Sequence, residues 1–297
     1  LRVNAKTTVT ALWRLMRPRQ WVKNGFVLMG VLFANVWRDP LMLRRALLVF
    51  VAFSLVASGV YIINDFLDRE NDLNHPRKRF RPLASKAISV SAAFSFMIIL
   101  WLVGFLLGIV VSNTVLFILL IYVAINLAYS LGLKHVVLLD VFIIAGGFML
   151  RILAGTSGIG IAPSQWLMLC GLMTALFLGF AKRRAELYAL SNEKTNHRRV
   201  LEHYSPVLLD KMIVVTATCV ILCYSLYTMS PVTIQTHHTE SLVYTVPFVL
   251  YGIFRYLYTL HIQQTGTDPA QELFRDPHIL VSILGWLLLT LWLISPR

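Results

Sequence analysis

The sequence predicts an all-α polytopic membrane protein, a bundle of nine transmembrane helices with the N-terminus in the cytoplasm. Three observations carry that prediction. The chain is 57% apolar and only 14% charged, where soluble domains average roughly 45–50% and 25%. Apolar stretches long enough to cross a hydrocarbon core of ~30 Å as helices recur from end to end. The Lys and Arg residues then fall mostly on one side of those stretches. With a mean hydropathy of +0.70, the composition excludes a disordered chain, a disulfide scaffold and an ordinary cytosolic enzyme.

The spans lie at 22–37, 44–63, 90–111, 114–131, 138–155, 164–181, 210–230, 241–262 and 279–295, within one membrane-embedded domain covering 1–297. Of the 27 Lys and Arg, 21 lie before span 1 or in the even-numbered connections. Four lie on the other side (Arg38, Arg44, Arg45, Arg297), and Arg151 and Arg255 fall within spans. The positive-inside rule assigns the basic side to the cytoplasm. That accounts for a net charge of +13 without nucleic acid, for which no motif is present. The longest polar connections, 64–88, 182–209 and 263–278, are all cytoplasmic on this topology, so the chemistry belongs there. Cys170, Cys219 and Cys223 sit inside spans as small packing residues.

The strongest local signal is at the end of span 2. In Asn64-Asp65-Phe66-Leu67-Asp68-Arg69-Glu70-Asn71-Asp72, a continuing helix places Asn64, Asp65, Asp68 and Asp72 toward one side. Three like charges on one face repel unless a cation sits among them, and oxygen donors of this kind suit Mg²⁺. The alternative is an ion-pair network with neighbouring cations. Arg77, Lys78, Arg79 and Arg81 follow directly, after Pro76 ends the helix; cations beside an acidic metal site make a place for a polyanion such as a diphosphate.

Two further mouths share that side. Span 4 ends in Tyr129-Ser130-Leu131-Gly132-Leu133-Lys134, and span 6 in Lys182-Arg183-Arg184-Ala185-Glu186, where Lys182 and Glu186 pair at i, i+4. Gln20, Lys23 and Asn24 add polar groups at the entry to span 1. Asp140 and Arg151, nearly on one face of span 5, are either functional or satisfy groups within the bundle. His237 and His238 receive no role.

The pattern Asn64-Asp65-x-x-Asp68-x-x-x-Asp72 resembles the first aspartate motif of the UbiA superfamily of intramembrane prenyltransferases. The nine-span layout and the Tyr129…Lys134 loop are similar too, and the resemblance covers nearly the whole chain. It implies a nine-helix bundle with a cytoplasm-facing polar chamber that opens sideways to lipid. The departure is at 182–186, where ordinary members carry a second aspartate motif for a second Mg²⁺. Exchanging carboxylates for cations turns a metal-bridged anion site into a direct one, so a different phosphorylated substrate is expected. The sequence resembles the branch that moves phosphoribose to a polyprenyl phosphate. The matching stretches are Arg17 through Asn24, Asn64 through Pro82, Ser164-Gln165-Trp166, Lys182 through Glu186, and Glu272-Leu273-Phe274-Arg275-Asp276.

That resemblance implies phosphoribosyl pyrophosphate as donor and a polyprenyl phosphate, such as decaprenyl phosphate, as acceptor in a bacterial inner membrane. The lipid-linked phosphoribose would feed the arabinose donor of cell-wall polymers. Mg²⁺, with Mn²⁺ as a substitute, would be held by Asn64, Asp65, Asp68 and Asp72. Asp65, Asp68 and Lys182 would be the catalytic groups. Lys23, Arg77, Lys78, Arg79, Arg81, Tyr129, Lys134, Lys182, Arg183 and Glu186 would contact the substrates. Two rivals stand beside this reading: a prenyltransferase acting on an aromatic acceptor, and a lipid-phosphate transporter. The missing second aspartate motif argues against the first. The gathering of ionisable residues at one mouth, with no internal repeat, argues against the second.

Overall fold

The computed structural model describes residues 5–73, 78–192, 201, 203–262 and 275–295, and among these the regular structure is entirely helical. The elements are α1 (Ala5–Met16), a 3₁₀ stretch (Pro18–Gly25) running into α2 (Phe26–Phe33), α3 (Pro40–Leu67), α4 (Arg69–Leu73), α5 (Val90–Val111) and α6 (Asn113–Leu131). Then come α7 (Leu139–Ala154), α8 (Gln165–Asn192), α9 (Pro206–Met229), α10 (Pro231–His237), α11 (Val246–His261) and α12 (Pro277–Leu293).

Local chemistry sets where these helices begin. Asp39-Pro40, Ser205-Pro206 and Asp276-Pro277 each combine a side chain that accepts from first-turn amides with a proline that needs no donor. Asp39 Oδ1 accepts from Leu41 N at 2.8 Å, and Asp276 Oδ1 from His278 N at 2.9 Å. Ser112 is the single residue between α5 and α6. Its extended backbone breaks the run, and its hydroxyl caps α6 through Val115 N at 3.1 Å.

Among the described residues, six helices are long and apolar enough to cross a membrane: Pro40–Leu67, Val90–Val111, Asn113–Leu131, Leu139–Ile159, Gln165–Tyr188 and Pro206–Met229. They match expected spans 2 to 7 and make this a multi-pass membrane protein. The remaining three expected spans fall on shorter helices. Span 9 is the 17-residue α12, and span 8 starts as a 3₁₀ turn, Ser241–Thr245, before the 16-residue α11. Span 1 is not one helix: its first four residues, 22–25, end the 3₁₀ stretch Pro18–Gly25, and only the eight residues of α2 are α-helical.

Burial separates central from peripheral helices. α3 packs against α1, α2, α5 and α6, and α7 against α2, α6 and α8; α9, α11 and α12 close the far side. The outer face of α5 instead leaves Ile98, Leu102, Leu106 and Ile109 exposed at helical spacing, as a face toward lipid does. α2 reaches α7 through glycine. A Cβ on Gly155 would lie 1.8 Å from the Val27 carbonyl oxygen, and one on Gly30 would lie 2.2 Å from the Gly155 oxygen. Small residues permit such backbone approach between membrane helices. Because the obstructing atoms are backbone and cannot rotate away, Gly155→Ala should cost about 3 kcal/mol, read as a lowered thermal midpoint in detergent. Gly146→Ala, with no atom within 4 Å of the new methyl, should leave the midpoint unchanged.

Candidate active site at the ends of α3, α6 and α8

The site begins with how the N-terminal stretch is hung on α3. Trp21 Nε1–H donates to Ser58 Oγ at 3.1 Å, and Asn24 Nδ2–H donates to Ser54 Oγ at 2.9 Å. Ser54 and Ser58 are one helical turn apart, so Pro18–Gly25 runs alongside α3 toward the bundle interior. At its head, Arg17 holds a left-handed conformation (φ 51°, ψ 58°), which costs a non-glycine residue about 1–2 kcal/mol. That turn delivers the Arg17 guanidinium to the buried carboxylate of Asp65, and its cation also faces the Tyr61 ring.

α3 stops at Leu67, but Asp72 N still donates to Asp68 O at 2.9 Å. The helical register is therefore kept across the break, and Asp72 returns to the side of Asp65. A single atom, Arg81 Nη1, lies 3.1 Å from Asp65 Oδ1 and 2.6 Å from Asp72 Oδ2. Asp68 faces the other way, to Lys134 Nζ at 2.9 Å. Asn64 Oδ1 accepts from Ser130 Oγ, whose one proton is also within reach of Asn126 O at 2.8 Å. Asn64, Leu67, Asp68, Tyr129, Ser130 and Lys134 line one cleft. The expected convergence of the first and second mouths is thus direct.

The third mouth is arranged differently. Arg183 was expected among the phosphate contacts. It is instead fully buried, with Nε 2.6 Å from Asp140 Oδ2, Nη2 donating to Tyr129 OH at 3.0 Å, and Nη1 paired with Glu186. The side chain ties α8 to α7 and α6, and its guanidinium is committed to three protein partners. Asp140 is correspondingly a structural counter-ion, and its second oxygen accepts from Tyr204 OH at 2.8 Å. Burial, with the Asp140 bond adding to it, pushes the Tyr204 phenol well above its ordinary pKa and keeps it a donor. Lys182, Lys23 and Lys78 are half-buried, and Arg79 is exposed with its guanidinium over the Phe80 ring. Arg77 lies outside the described residues, as does Glu272 through Phe274.

Arg151 settles the other half of span 5. It donates to Asn24 Oδ1 at 2.7 Å, Gly147 O at 2.7 Å and Tyr122 OH at 3.1 Å, with aromatic faces of Phe53, Tyr122 and Phe148 around it. Its partners are all neutral groups within the bundle. Asn24 therefore sits in the core and not at the mouth. Sequence reasoning overlooked Arg17, Ser130 and Tyr204 as parts of the site. Arg17 was visible only as the first residue of a matching stretch.

The oxygen donors fit a hard divalent cation. Among the described residues no three His, Cys, Asp or Glu side chains form a ready-made cage. Mg²⁺, however, is commonly held by one or two carboxylates and shares its other positions with water and phosphates. Asp65 and Asp72 already converge on one cationic atom, Arg81 Nη1.

Comparison with known proteins now bears on this geometry. The model of the UbiA prenyltransferase family matches residues 25–276. The chain belongs to the UbiA prenyltransferase family. It is 31% identical over 293 residues to decaprenyl-phosphate phosphoribosyltransferase of Mycolicibacterium smegmatis, covering 95% of this chain and 92% of that one. The same-named protein of Corynebacterium glutamicum is 31% identical over 291 residues, covering 95% and 86%. Among solved structures, a UbiA homolog from Archaeoglobus fulgidus bound to GPP and Mg²⁺ shares the fold, with a TM-score of 0.71 and 18% identity, over 96% of this chain and all of that one. This UbiA chain thus keeps the family's bundle while its α8 end carries cations.

The buried and exposed ion pairs of α8 should respond differently to truncation. Arg183→Ala leaves buried Asp140 without its counter-ion and should destabilise by about 3–5 kcal/mol. Arg184→Ala breaks only a partly exposed pair with Asp210 and should cost under about 1 kcal/mol. Thermal midpoints of the two purified variants check this; equal midpoints would contradict the assigned burial.

Proposed function

We propose that this chain transfers the 5-phosphoribosyl group of phosphoribosyl pyrophosphate to a polyprenyl phosphate, with decaprenyl phosphate the type of acceptor, releasing pyrophosphate. The observation that carries the reading is the asymmetry of the mouth. Asp65, Asp68 and Asp72 gather at the end of α3 and meet Arg17, Arg81 and Lys134 there, while α8 brings Lys182 and no second cluster of aspartates. The end-to-end likeness to decaprenyl-phosphate phosphoribosyltransferases supports it.

On this reading, Asn64, Asp65, Asp68 and Asp72 would hold Mg²⁺ or Mn²⁺. Bound there, the metal would neutralise charge on the departing pyrophosphate. Arg81 and Lys134, each paired with a carboxylate, are the cations for which donor phosphate oxygens can substitute as partners. Lys78, Arg79 and Lys182 add phosphate contacts at the rim. Lys134, Tyr129 and Lys23 hold the lipid phosphate or the ribose 5-phosphate. Arg183 serves through Tyr129 and Glu186 and makes no phosphate contact of its own. The bond from the anomeric carbon to pyrophosphate breaks as an acceptor phosphate oxygen bonds to that carbon. That oxygen is anionic near pH 7, so no strong general base is needed. Rate then comes from positioning and charge stabilisation.

The topology belongs to the same proposal. The 3₁₀ stretch at about 2 Å per residue and α2 at about 1.5 Å together span roughly 28 Å, enough for a first crossing. Counted with α11 and α12 this reading has nine passes; the positive-inside bias supports a mouth on the cytoplasmic side, and the bacterial relatives support a bacterial membrane. The product would supply the arabinose donor for cell-wall polymers.

Purified protein given ribose-labelled donor, polyprenyl phosphate and Mg²⁺ should move label into butanol-extractable lipid, and a chelator should abolish the transfer. Consumption of prenyl diphosphate with an aromatic acceptor, and no labelled lipid, would return the chain to the family's other chemistry. Asp68→Ala should lower metal-dependent turnover at least 100-fold, about 2.7 kcal/mol of barrier, while the protein still folds. Lys182→Ala should raise the KM for the donor about tenfold; an unchanged KM with normal turnover would remove it from the site.

A further inference from the structure

The loop between α6 and α7 carries Lys134 to the cleft, and its far end is strained. Leu138, which opens α7, has φ 67° and ψ −46°, a conformation that a bulky non-glycine residue rarely adopts. Leu138 O is held by Val141 N and Phe142 N at 3.0 Å each. Its N–H, pointing back toward the loop, donates to Tyr204 OH at 2.7 Å. The same phenol donates to Asp140 Oδ1 at 2.8 Å, while Asp140 Oδ2 is fixed by buried Arg183. Tyr204 comes from the segment just before α9, 66 residues along the chain from Leu138. Its ring is buried in the same apolar cluster as Val141 and Phe177.

We propose that Tyr204 is a positioning residue for the transfer reaction: its hydroxyl pins the strained start of α7 to the buried Asp140–Arg183 pair and so fixes the loop that holds Lys134 against Asp68. The inference rests on the reading of Lys134 as a substrate contact. One network then serves both walls of the cleft. Arg183 orients Tyr129 directly, and Tyr204 orients Lys134 through the backbone of residues 132–138. The phenol suits the task because it accepts from the amide and donates to the carboxylate at once. Phenylalanine would keep the ring's packing and lose both bonds.

The test compares Tyr204→Phe, Lys134→Ala and the double variant in lipid nanodiscs. Tyr204→Phe should raise, by about three- to tenfold, the KM for whichever substrate Lys134→Ala affects, and leave the other KM unchanged. The double variant should be no worse than Lys134→Ala alone, because a misplaced loop has no further lysine to lose. Hydrogen exchange supplies a readout independent of activity. The Leu138 amide should lose protection in Tyr204→Phe, while peptides from α5 stay as they were. Multiplicative effects in the double variant, or unchanged protection at Leu138, would overturn the inference. Normal kinetics in Lys134→Ala would instead overturn the reading of Lys134 on which it rests.

Discussion

Carboxylates buried at the mouth of a membrane bundle must be neutralised, and most of this structure is arranged around that requirement. Asp65 and Asp72 are almost fully buried. An isolated ionised carboxylate in such surroundings would be prohibitively costly. Arg17 and Arg81 meet the buried pair and Lys134 the more exposed Asp68, so cations from three separate segments gather at the mouth. Arg17 arrives from before the first crossing, Arg81 from the connection after α4, and Lys134 from the loop after α6. None of these segments is a long regular helix. Each is irregular chain held by specific hydrogen bonds to a rigid neighbour.

The same balance makes the mouth suitable for a polyanion. A guanidinium bridging two carboxylates can exchange one oxyanion for another, because phosphate oxygens offer similar hydrogen-bond geometry. Were a divalent cation held by the carboxylates, Arg81 could turn from them to phosphate oxygens. Acids and cations therefore have complementary roles at this mouth.

Sequence alone revealed the parts of the architecture that depend on composition. Spans 2 to 7 were readable because each is an uninterrupted apolar run with caps or charges at its ends. Span 1 was misread as one helix because its polar first half is stabilised by Ser54 and Ser58 of α3, partners that no local pattern reveals. The acids at 64–72 were legible as a group, and Asp65 and Asp72 do share a side across the break at Asp68, but Asp68, expected beside them, turns to Lys134 instead. Which cation meets which acid was not legible, since those partners lie far apart in sequence. Arg183 is the instructive case. Within Lys182-Arg183-Arg184 it reads, like Lys182, as a phosphate ligand, yet Asp140, 43 residues away, takes it into the interior. Tyr204 carried no signal beyond being a tyrosine near a helix start.

The most direct test of this account is ligand-induced stabilisation of the purified protein in nanodiscs. Thermal midpoints would be measured with phosphoribosyl pyrophosphate, with Mg²⁺, with both, and with geranyl diphosphate plus Mg²⁺. Binding to the folded state alone stabilises by about 2.7 kcal/mol at a hundredfold excess over Kd. A clear rise is expected with phosphoribosyl pyrophosphate and Mg²⁺ together, larger than with either alone and larger than with the prenyl diphosphate. Stabilisation by geranyl diphosphate and Mg²⁺, with none from phosphoribosyl pyrophosphate, would contradict the charge-exchange account and the donor it selects.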